Sequence, residues 1–328
     1  MACCFTACHQ KGQPIEPYQK ENERILSGWY PTVSPNGSHI AYVRRDTVFI
    51  ADRNGENKTQ IYEGYIVPQS MRWRFDNNTI GFIAYDSLGG VNNAIVFIDL
   101  QTGVKTVFPI SVDARYNNWS WNSTATELAC WTRDDNSTRQ YLTITNNQGT
   151  IINKYNAYEY DWSPDGKEIA YLSNQNISTD SSRLYIAASD TVQQIVASDQ
   201  ILFSLEWTPD QNIIAFNQLG RGLFLYDISQ KTAVDSFDII GYYPNNLSYQ
   251  VSPDGKHIAY IYTEFNYNPD GPPYETLYSI SIDTHVSELI VPKYAGFISY
   301  DWFPSSDELI YGFNGNTFNG DIYVTTIE

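Results

Sequence analysis

The fold is decided by the stretch Asp161-Trp162-Ser163-Pro164-Asp165-Gly166-Lys167-Glu168-Ile169-Ala170-Tyr171, because near-copies of it recur along the chain. Its centre, Pro-Asp-Gly, is a tight-turn sequence, since proline presets φ and glycine accepts positive φ. The β-branched and aromatic residues after the turn favour a strand. The stretch therefore predicts two antiparallel strands joined by a short turn, with Trp162 near the end of the first strand.

Six further copies share this frame, three of them close and three degenerate. We call the first residue of each copy its anchor; the seven anchors are Val33, Trp73, Trp121, Trp162, Trp207, Val251 and Trp302. An aliphatic residue follows each anchor by seven positions: Ile40, Ile80, Leu128, Ile169, Ile214, Ile258 and Leu309. The anchors are 40, 48, 41, 45, 44 and 51 residues apart, which is the period of a four-stranded propeller blade.

The remaining strands complete the blades. Each copy continues into a third strand, such as the one with Val48-Phe49, and then a fourth, such as Gln60-Ile61-Tyr62, but the last copy lacks a fourth strand. The segment Glu23–Ser27, before the first copy, resembles the missing strand. We therefore predict an all-β fold without helices, a seven-bladed β-propeller of four-stranded antiparallel blades over residues 23–328, whose last blade is closed by the N-terminal strand.

The repeated pattern Trp-Ser-Pro-Asp-Gly-Lys-x-Ile-Ala-Tyr resembles the WD40-like repeat of the TolB propeller family. Similar repeats occur in the propeller domains of prolyl oligopeptidase-type peptidases. The resemblance covers nearly the whole chain from about Glu23, and it implies a periplasmic or cell-surface protein that binds other macromolecules. The matching residues are structural, so the resemblance is specific for the fold and assigns no catalytic residue.

The bulk composition excludes several classes of function. The 328 residues carry a net charge of −17, with 37 acidic and 20 basic side chains and no basic cluster, so we expect no nucleic acid partner. No apolar run is long enough to span a membrane. The four cysteines have no zinc-ligand spacing. We expect no metal and no cofactor, and a monomer.

Residues 1–22 are predicted to lie outside the propeller. Met1-Ala2-Cys3-Cys4-Phe5-Thr6-Ala7-Cys8 resembles the end of a bacterial lipoprotein signal, in which Cys8 would be lipidated, and the polar segment from Gln10 to Asn22 reads as a tether. This interpretation predicts a bacterial envelope protein, in the periplasm or at the outer membrane, that meets the membrane only through a lipid anchor. The alternative is a disordered N-terminus that contains cysteines.

Recognition is expected at one end of the propeller. The Pro-Asp-Gly turns lie at one end, and the second–third and fourth–first loops, which vary between copies, lie at the other; we call this other end the variable-loop face. Tyrosine suits sugar or peptide recognition because it offers a flat amphipathic surface. The candidate residues for a protein or carbohydrate partner are Tyr85, Arg115, Tyr242, Tyr243, Tyr267, Asp270 and Tyr274. The alternative is a set of ordinary polar loops.

A second candidate is the polar residue before each anchor. These seven residues, the channel set, are Thr32, Arg72, Ser120, Asp161, Glu206, Gln250 and Asp301. Strand alternation places them on the side opposite the mostly bulky residues before them, so they are predicted to line the central channel. Their carboxylates suggest a cation or ordered water there, or simply a wet channel with internal pairing to Arg72.

Enzymatic function is the minority interpretation. The sequence has no Gly-x-Ser-x-Gly elbow, and its four histidines form no cluster. We therefore expect a non-catalytic binding or scaffolding propeller. The alternative is a glycan-active lyase or hydrolase, because glycoside hydrolysis needs only a pair of carboxylates and the channel set supplies them.

Overall fold

The chain forms a seven-bladed β-propeller. The computed structural model describes residues 22–85, 93–113, 118–133, 140–174, 181–189, 191–239, 248–264, 271–314 and 320–327. Within these ranges, 28 strands form seven four-stranded antiparallel sheets and there is no helix. In the same ranges no helix is long and apolar enough to cross a membrane.

Each blade uses four strands in the order inner, second, third and outer. Blades 1 to 4 consist of β2 (Trp29–Val33), β3 (His39–Arg44), β4 (Thr47–Asp52) and β5 (Thr59–Glu63); β6 (Ile66–Trp73), β7 (Thr79–Tyr85), β8 (Asn93–Asp99) and β9 (Lys105–Val112); β10 (Trp119–Trp121), β11 (Glu127–Arg133), β12 (Gln140–Asn146) and β13 (Ile151–Tyr155); and β14 (Glu159–Trp162), β15 (Glu168–Ser173), β16 (Ser182–Ala188) and β17 (Thr191–Ser198). Blades 5 to 7 consist of β18 (Leu202–Trp207), β19 (Ile213–Gln218), β20 (Gly222–Asp227) and β21 (Thr232–Phe237); β22 (Ser248–Val251), β23 (His257–Glu264), β24 (Tyr274–Ser281) and β25 (Ser287–Ala295); and β26 (Phe297–Trp302), β27 (Glu308–Asn314), β28 (Asp321–Thr326) and β1 (Glu23–Ser27).

The inner hairpin predicted from the repeats is confirmed in every blade. Each anchor ends an inner strand and pairs with the aliphatic residue seven positions later, from Val33 with Ile40 to Trp302 with Leu309. These aliphatic side chains are buried. One frame of eleven residues thus sets the same inner hairpin seven times.

The predicted closure of the last blade is also confirmed. The N-terminal strand β1 pairs antiparallel with β28, so that Glu23 lies opposite Val324 and Ser27 opposite Asp321. Arg24 adds an ion pair with Asp321, with 2.7 Å between Nη2 and Oδ1. The first described strand therefore becomes the outer strand of the last blade, and the ring closes by hydrogen bonds between distant parts of the chain.

The degenerate copies keep the turn without glycine. Four positions after the anchor the backbone has positive φ at Gly37, Gly166 and Gly255, as the Pro-Asp-Gly sequence predicts. Asn77 (φ 59°) and Ser306 (φ 67°) adopt the same conformation and accept hydrogen bonds from Asn36 N and Asp254 N in the preceding blade. In these two copies the side chain that replaces glycine thus joins the turns of two neighbouring blades.

The core lies between the blades. The residue two before each anchor packs on the second strand of the preceding blade, where the residue is small: Met71 on Ala41, Tyr160 on Ala129, Tyr249 on Ala215 and Tyr300 on Ala259. At Gly81 a Cβ atom would meet the ring of Trp119 at 2.5 Å. The largest side chain of this set, Trp119, therefore faces a glycine, which leaves room for its ring, as close packing requires.

Candidate functional site

The channel set occupies equivalent places on the seven inner strands. All seven side chains are partly accessible, whereas the residues immediately before them, from Pro31 in blade 1 to Tyr300 in blade 7, are buried. The alternation along each inner strand thus separates a buried set that packs between blades from a partly accessible set on the opposite side of the strand.

Each carboxylate of the channel set joins its blade to the next one. Oδ2 of Asp301 accepts a hydrogen bond from the backbone N–H of anchor Val33 at 2.8 Å, and Oδ2 of Asp161 accepts one from anchor Trp207 at 2.7 Å. Glu206 accepts the N–H of anchor Val251 in the same way, at 3.0 Å. An inner strand is a sheet edge whose outward N–H groups lack a ladder partner, and these carboxylates supply one.

Other junctions use the anchor indole instead. Nε1 of Trp73 donates to the Thr32 carbonyl at 3.1 Å, Nε1 of Trp162 to the Ser120 carbonyl at 3.4 Å, and Nε1 of Trp302 to the Gln250 carbonyl at 3.2 Å. Each contact again runs from an anchor to the channel-set residue of the preceding blade. The anchors and the channel set therefore form one system of blade-joining contacts.

The junction between blades 2 and 3 uses neither contact in the part of the chain that the structure describes. Its channel-set residue is Arg72, whose side chain has no acceptor to offer the backbone N–H of the next anchor. Nε1 of anchor Trp121 is buried there without a hydrogen-bond partner. Nε1 of Trp119 joins the two blades by donating to the Ser70 carbonyl at 2.9 Å. Arg72 is thus the charged channel-set residue that has no blade-joining contact.

Burial shifts the pKa values of these groups. Desolvation raises the pKa of Asp161 to about 6 and that of Asp301 above its usual value, against hydrogen bonds that lower both. Desolvation, reinforced by the neighbouring Asp161 charge, holds the pKa of Glu206 well above its ordinary value. The same desolvation lowers the pKa of Arg72. All four shifts come from placing charged groups deep in the ring.

A cavity of about 360 Å³ opens among the inner strands of blades 1, 2, 6 and 7. It is lined by four members of the channel set, Thr32, Arg72, Gln250 and Asp301, and by Tyr30, Pro31, Pro68, Gln69, Met71, Ser248, Ile298, Ser299 and Tyr300. Arg72 is the one cationic side chain in this lining, and Asp301 is the one anionic side chain. The other channel-set residues, Ser120, Asp161 and Glu206, do not line it.

Two of the candidate residues of the variable-loop face are described. Tyr85 ends β7 and is 43% exposed. Its backbone N–H donates to the carbonyl of Tyr65, which is 64% exposed, so two accessible tyrosines lie side by side. Tyr274 is only partly exposed, because the Lys293 ammonium lies 4.7 Å from its ring centre. Arg115, Tyr242, Tyr243, Tyr267 and Asp270 lie outside the described residues, as does Cys8.

Sequence reasoning missed two desolvated carboxyl groups. Glu275 is 8% exposed and its Oε2 accepts the backbone N–H of Ile298 in the next blade at 2.6 Å. Glu159 accepts a backbone hydrogen bond from Ser204. Desolvation raises the pKa of each group to about 7. Glu159 is the first residue of β14 and Glu275 is the second residue of β24. No residue near either one in the sequence indicates its hydrogen-bond partner in the next blade.

The described residues hold no group of three or more His, Cys, Asp or Glu side chains arranged to bind a metal ion. Although Asp161 and Glu206 are electrostatic neighbours, each is occupied by the anchor of the next blade. The two carboxylates therefore act as hydrogen-bond acceptors that join adjacent blades.

Comparison with known proteins supports the fold. No family model matches the chain, and no curated protein matches it. An oligogalacturonate lyase in complex with manganese is 13% identical, with 95% of each chain covered and a TM-score of 0.68. A mitotic checkpoint complex structure is 14% identical, with 100% of this chain and 98% of that chain covered and a TM-score of 0.65. TolB from Acinetobacter baumannii is 16% identical, with 89% of this chain and 64% of that chain covered and a TM-score of 0.46. At these identities, the similarity to the first two structures concerns the propeller fold alone.

Proposed function

We propose that this protein is a non-catalytic binding propeller whose variable-loop face recognises a protein or carbohydrate partner. The observation that carries the proposal is the use of the channel carboxylates as acceptors for backbone N–H groups of the next blade. A carboxylate engaged in this way is a fixed structural acceptor, whereas general acid–base catalysis needs a group that is free to exchange a proton with a substrate.

The exposed aromatic side chains support the choice of face. Tyr65 and Tyr85 lie side by side at the variable-loop face, and Phe297 is exposed at the start of the inner strand of blade 7. Accessible aromatic side chains are the typical anchors of protein interfaces and also stack on sugar rings.

A double variant, Tyr65→Ala with Tyr85→Ala, tests this face. We expect it to reduce partner capture by more than about tenfold, since interface tyrosines are typical hot spots. Capture is measured by quantitative pull-down from an envelope extract and, in parallel, on a glycan array, so that the two partner classes are separated. Phe75→Ala is the matched control, because Phe75 is 51% exposed in a first–second turn at the opposite end. Equal losses in both variants, or none, would count against the proposal.

One observation favours the alternative, a glycan-active enzyme. A carboxyl group whose pKa is raised to about 6, as for Asp161, is suited to general acid catalysis near neutral pH. The test is to incubate the wild-type protein and the variants Asp161→Asn and Glu206→Gln with a panel of polysaccharides. If the wild-type protein turns over a polysaccharide, and both variants are folded but inactive, the enzyme proposal replaces the binding proposal.

We further propose that the protein is tethered to a bacterial envelope through a lipid on Cys8. Metabolic labelling with palmitate should mark the wild-type protein and not Cys8→Ser. Cys130→Ser is the control, because the Cys130 thiol is buried within a strand and should not carry the label. Label that persists in Cys8→Ser would overturn the anchor.

A further inference from the structure

Arg72 carries a positive charge that the described residues leave without a counterion. Its Nη1 donates to the backbone carbonyls of Gln69 and Met71, both at 2.8 Å on its own strand. No carboxylate in the described ranges lies within ion-pair distance of its guanidinium, and the N–H groups of Nε and Nη2 have no partner there. A desolvated charge is normally paired, so this is an unusual place for an arginine.

The one acidic side chain of the same cavity is already occupied. Asp301 accepts hydrogen bonds from Val33 N and Thr32 Oγ1 through Oδ2, and from Trp302 N through Oδ1. Its charge is thus stabilised by donors of blades 1 and 7, and it reaches Arg72 only as a longer-range attraction. The Nε and Nη2 edge of the Arg72 guanidinium remains free to bind an external anion.

The cavity fits a small organic anion. Its volume of about 360 Å³ lies within the range of small-ligand sites, and its lining combines hydroxyl and amide groups with the rings of Tyr30 and Tyr300. The Gln250 amide lines the same cavity, and its Oε1 has no hydrogen-bond partner. Rotation of that amide would let a ligand O–H or N–H group satisfy it.

We propose that this cavity binds a small carboxylate ligand, whose carboxylate pairs with the free edge of the Arg72 guanidinium and whose neighbouring donor group bonds the Gln250 amide. A planar guanidinium matches a carboxylate in two parallel hydrogen bonds, and the chain's net charge of −17 makes such a cationic site a local exception. The inference deepens the proposed binding function by naming the chemistry of its ligand. The carboxylate can come from a sugar acid or from a peptide.

The test uses two matched pairs of probes in titration calorimetry at low ionic strength: D-glucuronate with D-glucose, and N-acetylglycine with N-acetylglycinamide. We expect at least one carboxylate to bind the wild-type protein more than about tenfold tighter than its neutral partner, because a charge-assisted pair is lost in the latter. Binding in the first pair alone identifies a sugar source, and binding in the second alone a peptide source.

Arg72→Gln should weaken the carboxylate probe by about tenfold or more, and Arg72→Lys should weaken it less. Arg183→Gln is the matched control, because Arg183 Nη1 also donates to two backbone carbonyls, those of Ser182 and Ser198, but lies on the third strand of blade 4 away from the cavity. If Arg72→Gln does not fold, the inference is still tested by the binding of the two probe pairs to the wild-type protein and by Arg72→Lys.

Two results would overturn the inference: neither carboxylate is preferred over its neutral partner, or Arg72→Gln binds as the wild type does. Neither result would bear on the variable-loop face, which is tested by the Tyr65→Ala and Tyr85→Ala double variant. The two proposals can therefore be rejected independently.

Discussion

Replacing Asp301 by alanine is expected to lower the free energy of unfolding by about 3 kcal/mol, since a buried charged acceptor is removed from several donors at once. Asp301 accepts hydrogen bonds from Thr32, Val33 and Trp302. The first two donors belong to blade 1 and the third to blade 7, so the contact joins the two blades at which the ring closes.

The loss should exceed that of any exposed acidic side chain. Asp238→Ala is the matched control, because Asp238 is exposed, and its effect should stay within about 0.5 kcal/mol. Asp301→Asn should recover only part of the loss, since its amide nitrogen cannot accept a hydrogen bond. Guanidinium unfolding followed by tryptophan fluorescence gives the values. A loss below about 1 kcal/mol for Asp301→Ala would show that the acceptor does not stabilise the ring.

The origin of this effect explains why the blade pattern could be predicted and the contacts could not. The frame from anchor to aliphatic residue lies within eleven residues, so the sequence determines the inner hairpin locally. Asp301 and Val33 are 268 residues apart, and their contact exists only because the ring closes. Alternation along β26 predicts the side of the strand on which Asp301 lies, whereas its partner depends on the next blade.

The variable-loop face shows a similar limit. Tyr85 and Tyr274 are equivalent in the sequence, since both flank a second–third loop, yet Tyr85 is exposed and Tyr274 is covered by Lys293. Lys293 stands on the outer strand of blade 6, and nothing near Tyr274 in the sequence indicates it. The sequence can thus indicate candidate contact residues by their chemical type. Their exposure, however, depends on spatial neighbours that the repeat pattern does not predict.

The protein is expected to be more stable at pH 5 than at pH 8. The pKa values of Glu159 and Glu275 are raised to about 7 and that of Asp161 to about 6, in each case chiefly by desolvation. The unfolded chain has ordinary values of about 4, so the folded protein binds more protons between about pH 4 and pH 7. The free energy of unfolding therefore falls as the pH rises through this window.

This fall should amount to several kcal/mol in total, because each of the three pKa values lies about two or more above its unfolded value and a difference of one corresponds to about 1.4 kcal/mol. Below pH 4 the trend reverses, because Asp165, whose pKa is lowered to about 2 by hydrogen bonds with Lys167, loses its stabilised carboxylate. Unfolding curves from pH 3 to pH 8 should thus place the maximum near pH 4.

Glu275→Gln separates this linkage from the general effect of net charge. The glutamine keeps an oxygen to accept the Ile298 N–H but cannot ionise, so stability should fall less between pH 5 and pH 8 than in the wild type. Glu56→Gln is the control: it removes the same charge from an exposed side chain, and the wild-type pH dependence should persist. A wild-type protein that gains stability from pH 5 to pH 8 would contradict the burial of these carboxyl groups in their protonated form.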